Sequence, residues 1–138
     1  MPVYERKVAI IIRGDLLDWQ KLNVAAFLSS AVAVQFSDTH GRPFVTADQI
    51  TYLPFIKHPV LIYRADGSDQ LRRALTRARD RNLAIGIYTQ PLFATKGEGG
   101  NLAAIAQLPD GEQDLVGIVL YGENNKVDKA IQGLEFHP

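Results

Sequence analysis

Ten polar residues fall where successive apolar runs of this chain end: Arg13 and Asp15, then Lys21 and Asn23, then Thr89 and Gln90, and last Tyr121, Asn124, Asn125 and Lys126. One guanidinium and two ammonium groups beside carboxamides and hydroxyls are suited to holding a phosphate or an acyl group. In such a site Arg13 or Lys21 supplies charge, while Asn23, Thr89 and Gln90 supply directional hydrogen bonds. Lys21 and Asn23 fall near the start of a helix, whose free N-terminal amides also favour an anion. The plainer reading is a surface pair of Arg13 with Asp15 and a solvated Lys21 at an element boundary.

Other chemistries lack their residues. With no cysteine, thiol catalysis, disulfides and cysteine-ligated metals are excluded. The three histidines, His40, His58 and His137, are too far apart for a compact metal motif, so neither a metal nor a cofactor is expected. Lys96-Gly97-Glu98-Gly99-Gly100-Asn101 lacks the Lys and Ser/Thr that end a phosphate-cradling loop, and Gly14 stands alone without a dinucleotide pattern. Fifteen basic residues balance fifteen acidic ones, which argues against a general coat for nucleic acid. The arginines of residues 72–81 spread over several helical faces rather than one stripe.

The elements that must position these groups follow from periodicity. Residues 7–13 form a β-branched run typical of a buried strand, and Val24, Phe27, Leu28, Ala31 and Val32 recur with a helical period. Between residues 36 and 59 a hairpin is expected, with a turn at 40–43 and a short strand at 50–53. A second strand covers 60–63, and a helix follows with Leu71, Ala74, Leu75 and Ala78 on its apolar face, Ser68 as its cap and Asn82 as its exit. Strands at 83–88 and 116–121 complete the set. Residues 89–101 read as a loop, 102–108 as a short helix and 126–133 as a closing helix. The order predicts one α/β domain over residues 1–138, with a small, mostly parallel sheet. The apolar run 8–12 is too short for a membrane span or a secretion signal, so a cytoplasmic protein without membrane contact is expected.

The segments Lys7-Val8-Ala9-Ile10-Ile11-Ile12, Leu22-Asn23-Val24-Ala25-Ala26, Leu83-Ala84-Ile85-Gly86-Ile87, Gly117-Ile118-Val119-Leu120-Tyr121-Gly122 and Asn125-Lys126-Val127-Asp128-Lys129 resemble, in this order over about residues 6–136, the domain-of-unknown-function 2000 family. The resemblance implies a fold like that of peptidyl-tRNA hydrolase II: a four-stranded mixed β-sheet flanked by helices, and a homodimer. Those hydrolases carry a lysine before the Ile-Ala-Ala segment of the first helix, where this chain has Asn23 before Val24-Ala25-Ala26. They also carry an Asp-Ala-Gly-Arg-Thr-like segment after the third core strand, where this chain reads Tyr88-Thr89-Gln90-Pro91-Leu92. Both departures remove charge that ester activation and RNA handling would use.

Three functions are therefore carried forward in this order. The first is a domain that binds a small molecule or macromolecule in a polar strand-end pocket. The second is a divergent acyl ester or amide hydrolase, and only this reading brings RNA as a partner. The third is a structural or protein-interaction domain.

Overall fold

The computed structural model describes residues 3–138. Strand β1 (Arg6–Arg13) lies at the centre of the main sheet, with Val8, Ala9, Ile10 and Ile11 fully buried. A strand apolar on both faces needs cover on both, and the remaining elements supply it. Helix α1 (Asp18–Gln35) leaves the carboxyl end of β1, and the Gln20 side chain accepts the free Leu17 N–H at 3.0 Å. A 3₁₀ turn (Ser37–Thr39) and a hairpin of β2 (Phe44–Val45) and β3 (Thr51–Tyr52) follow. Strand β4 (Val60–Ala65) then pairs parallel to β1, so α1 and the hairpin together form its crossover.

Helix α2 (Ser68–Asp80) buries Leu71, Ala74, Leu75 and Ala78, the periodic set expected from the sequence. Its cap position is Gly67, and Ser68 is the first helical residue, without a side-chain capping bond. Asn82 makes the exit with φ 55°, a left-handed conformation that asparagine tolerates better than most residues. Strand β5 (Ala84–Thr89) crosses to the far edge of the sheet. A 3₁₀ turn (Gln90–Ala94) and helix α3 (Gly97–Ala106) lead on to β6 (Leu115–Glu123), α4 (Asn124–Ala130) and β7 (Glu135–Phe136).

The sheet corrects the sequence expectation in two respects. It has five strands, in the order β5-β6-β1-β4-β7, rather than four. Only β1–β4 is parallel, whereas β1–β6, β5–β6 and β4–β7 are antiparallel, so the sheet is mixed and mostly antiparallel. β7 has no sequence signature because two residues carry no period. The direction of β6 has no local sequence signature, since a fully buried strand reads the same either way. α3 likewise begins in the expected loop, with Gly97, Gly99 and Gly100 in its first turn despite their poor helix propensity.

Two apolar layers result. α2 and α4 cover one face through Leu71, Leu75, Val127 and Ala130 against Ala9, Ile11, Ile118 and Leu120. α1 alone covers the other through Val24, Leu28 and Val32 against Val8, Ile10, Ile12, Val119 and Tyr121. Among the described residues no helix is long and apolar enough to cross a membrane.

α1 sits close because β6 presents a glycine beneath it. A Cβ built on Gly117 would meet Val24 Cγ1 at 2.7 Å and Leu28 Cδ1 at 3.3 Å, and both side chains are buried with little room to move. Gly117→Ala is therefore expected to destabilise the fold by about 1–3 kcal/mol in urea unfolding, the usual cost of overpacking. Gly111→Ala, at a position with open space around it, serves as the control.

Candidate functional site

β1, β4 and β5 run in one direction, so their carboxyl ends share one rim of the sheet. Beside that rim, between α1, the end of β5 and the segment that leads into α3, lies an open cleft of about 650 Å3. This volume lies within the range of small-molecule sites. Trp19, Asn23, Phe27, Leu28 and Ala31 line it from α1, and Ile87 and Tyr88 from β5. Leu92, Phe93, Thr95, Gly97, Glu98 and Asn101 close the third side.

Four aromatic rings form a continuous wall. Trp19 meets Phe93 edge-on, with centroids 5.7 Å apart and planes at 74°. Phe93 and Tyr88 are 5.1 Å apart at 47°, and Tyr88 and Phe27 are 6.1 Å apart at 37°. Burial raises the Tyr88 hydroxyl above its ordinary pKa, so it stays protonated at neutral pH. Glu98 is the one charged residue in the lining. The Thr95 hydroxyl donates to the Asn101 side-chain oxygen, tying the start of the third wall to α3.

Of the residues singled out in the sequence, Asn23 alone lines this cleft. Lys21 lies two positions earlier, roughly 200° around the helix. It lines a separate depression of about 510 Å3 on the other flank of α1, with Ile12, Asp18, Leu22, Ala25, Ile62 and His137. Arg13 is taken up in an ion cluster. Its Nε and a terminal nitrogen donate to the two Asp15 oxygens at 3.0 and 2.8 Å, and Asp114 lies 3.6 Å away. The hydrogen bond with Asp15 raises the Arg13 pKa and lowers that of Asp15, so both charges persist. Thr89 is 1% exposed, beside a bulge in the β5–β6 ladder, while Gln90 is exposed and its backbone N–H donates to the Asp114 carbonyl.

Tyr121, Asn124, Asn125 and Lys126 stand at the opposite end of the sheet. Because β6 is antiparallel, Tyr121 pairs with Val8 near the start of β1 and with Ala84 at the start of β5. The expected convergence of these four with Arg13 and Asn23 is therefore corrected. Asn124 instead donates from Nδ2 to the Tyr4 carbonyl, Lys126 lies 4.0 Å from Glu123, and Asn125 is exposed. The buried Tyr121 hydroxyl donates to Asp38 at 2.6 Å and anchors the chain just before the hairpin. The histidines are scattered: His58 packs against Tyr4 and Tyr121, His40 bonds the Ala33 carbonyl and His137 lies at the edge beyond β7.

Most of the cleft carries no mark in the sequence: Phe27 shares the helical period of Val24, Leu28 and Val32, yet it is half-exposed and contributes to the wall. The one signal the sequence offers is its single tryptophan, a residue type enriched at binding surfaces.

An α/β domain with a mixed five-stranded sheet and one helix alone on a face is thus the class that fold and site define. The chain belongs to the family described as protein of unknown function (DUF2000), whose family model matches residues 6–138. A solved structure of a protein of unknown function from Agrobacterium tumefaciens is similar, with 29% identity and a TM-score of 0.92 over 99% of this chain and 100% of that one. No curated protein matches the sequence.

The Tyr121–Asp38 bond yields a pH prediction. Burial first, and then Asp38, push the Tyr121 hydroxyl up to about 12, while that hydroxyl holds Asp38 below its usual value of 3.8. A depressed carboxylate contributes stability above its unfolded pKa and loses it as pH falls through the lower folded value. Tyr121→Phe should cost about 1–2 kcal/mol at pH 7 in urea unfolding. The difference from the parent should shrink as pH falls below 3.8.

Proposed function

We propose that the cleft between α1, β5 and α3 binds a small molecule carrying a flat or ring-shaped apolar part. The observation that carries this reading is the aromatic wall of Trp19, Phe93, Tyr88 and Phe27 around about 650 Å3 of space, with the Asn23 amide beside it. Rings held at angles to one another offer faces and edges to a flat ligand, and a carboxamide that both donates and accepts fixes its orientation. Binding ranks ahead of hydrolysis. We take the fold to be peptidyl-tRNA hydrolase II-like, and on that correspondence Asn23 stands in the cleft where the hydrolases carry a lysine. Lys21 and Arg13, the nearby cations in sequence, line another depression and serve an ion cluster respectively.

Trp19 is the only tryptophan, so its fluorescence reports on the cleft directly. In a metabolite screen a true ligand should change that fluorescence saturably. Asn23→Ala and Phe93→Ala should each weaken binding about tenfold, the scale of one lost hydrogen bond or aromatic contact. Lys21→Ala should leave it nearly unchanged, since Lys21 does not line the cleft. Weakening by Lys21→Ala alone would move the site to the other flank of α1.

We also propose that two copies associate through the hairpin. Phe44, Val45, Ile50, Tyr52, Leu53 and Phe55 are all about half exposed or more, with Leu53 at 86% and Phe55 at 73%. A two-stranded hairpin is marginal by itself in water, so this arm gains from a second surface. Its apolar side chains lie together on one exposed arm, the kind of patch that marks an interaction surface. The formal net charge of zero sets no long-range repulsion between copies. Sedimentation across a concentration series should show a dimer, and Leu53→Asp with Phe55→Asp should shift it to monomer without loss of fold. A parent protein that stays monomeric at high micromolar concentration would exclude the interface.

A further inference from the structure

Given that the cleft binds a ligand, we infer that its ligand class is an organic cation: an alkylammonium or N-methylated amine bearing an apolar or aromatic substituent. This rests on the binding reading above and adds the sign of the charge. Each aromatic face carries the negative part of a quadrupole, and a cation within about 6 Å of a ring centroid is attracted to it. Trp19, Phe93, Tyr88 and Phe27 place four such rings in sequence around one space, with adjacent centroids 5.1–6.1 Å apart. Adjacent rings are in contact with one another, so a cation would rest against this wall rather than between its rings, within reach of more than one of them.

The charged groups agree in sign. Glu98 is the only ionised side chain in the lining, and no lysine, arginine or histidine lines the cleft. Arg13 is already matched by Asp15 and Asp114, and Lys21 lies on the opposite flank of α1. One feature opposes the assignment: Glu98 sits in the first turn of α3, whose N-terminus carries a positive dipole end. That end is equivalent to roughly half a positive charge, against the full negative charge of the carboxylate. Lys96, the N-cap residue of α3, stands between the lining residues Thr95 and Gly97 but is exposed and does not itself line the cleft, so Glu98 is the charge in the lining. Asn23, Thr95 and Asn101 add neutral groups, which suit a polar substituent on the cation rather than a second charge.

The assignment predicts discrimination among probes of similar size and different charge. Benzyltrimethylammonium, benzyl alcohol and benzoate should be titrated into the full chain, with Trp19 fluorescence and calorimetry as readouts. The cation is expected to bind saturably and about tenfold more tightly than the alcohol, with benzoate weakest. Glu98→Gln, at an exposed position, should weaken only the cation, by about two- to fivefold, the scale of a solvent-screened charge pair, and Phe93→Leu should weaken both cation and alcohol. If alcohol or benzoate binds as tightly as the cation with the same Trp19 response, the cation assignment is overturned while the cleft remains a binding site. If no probe produces a saturable response, the cation assignment is overturned and so is the aromatic cleft on which it rests.

Discussion

One helix has to cover a whole face of a five-stranded sheet. Strands spaced about 4.8 Å apart make such a sheet on the order of 20 Å wide, whereas a helix with its side chains is about 10–12 Å across. α1 resolves this by sitting close over the centre, where Gly117 allows Val24 and Leu28 to approach the backbone of β6. Its flanks are then left uncovered, and both hold depressions: the aromatic cleft toward β5 and the Lys21 depression toward β4. The opposite face is treated differently, because α2 and α4 lie side by side and share the load. The asymmetry of the candidate sites follows from that unequal cover.

The charged residues mostly serve to hold elements in place, which clarifies what the cleft is made of. Arg72 donates to the carbonyls of Asp110 and Gln113, Arg77 to that of Gln132, and Arg79 pairs with the Asp110 carboxylate. These bonds fasten α2 to the segment entering β6 and to the one leaving α4. Arg13 joins the end of β1 to the start of β6 in the same manner. With these arginines so engaged, the aromatic cleft is left with aromatic rings, carboxamides, the hydroxyls of Tyr88 and Thr95 and one carboxylate.

Much of the fold was legible in the sequence, and the candidate site much less so. The buried strands and the apolar faces of α1 and α2 announce themselves because a residue's period reports directly on which side it buries. Strand direction does not, since a run such as Val116 to Leu120 is apolar on both faces in either orientation. That single ambiguity carried Tyr121, Asn124, Asn125 and Lys126 to the wrong end of the sheet. Lys21 and Asn23 are close in sequence, but two residues along a helix point nearly opposite ways, and they line different depressions. The third wall of the cleft was illegible for another reason: Leu92, Phe93 and Thr95 lie in a stretch without a period, placed by tertiary packing against β5 and α1.

On the proposed reading the protein meets its ligand on the α1–β5 flank rather than on the Lys21 flank or the hairpin. Amide and indole chemical shifts of the isotope-labelled protein, recorded as fractions of a cellular small-molecule extract are added, test it most directly. Saturable shifts are expected at the Trp19 indole, Asn23, Tyr88, Phe93 and the segment 95–101. Shifts confined to Lys21, Ala25 and His137 or to residues 44–55, with the Trp19 indole unmoved, would contradict it.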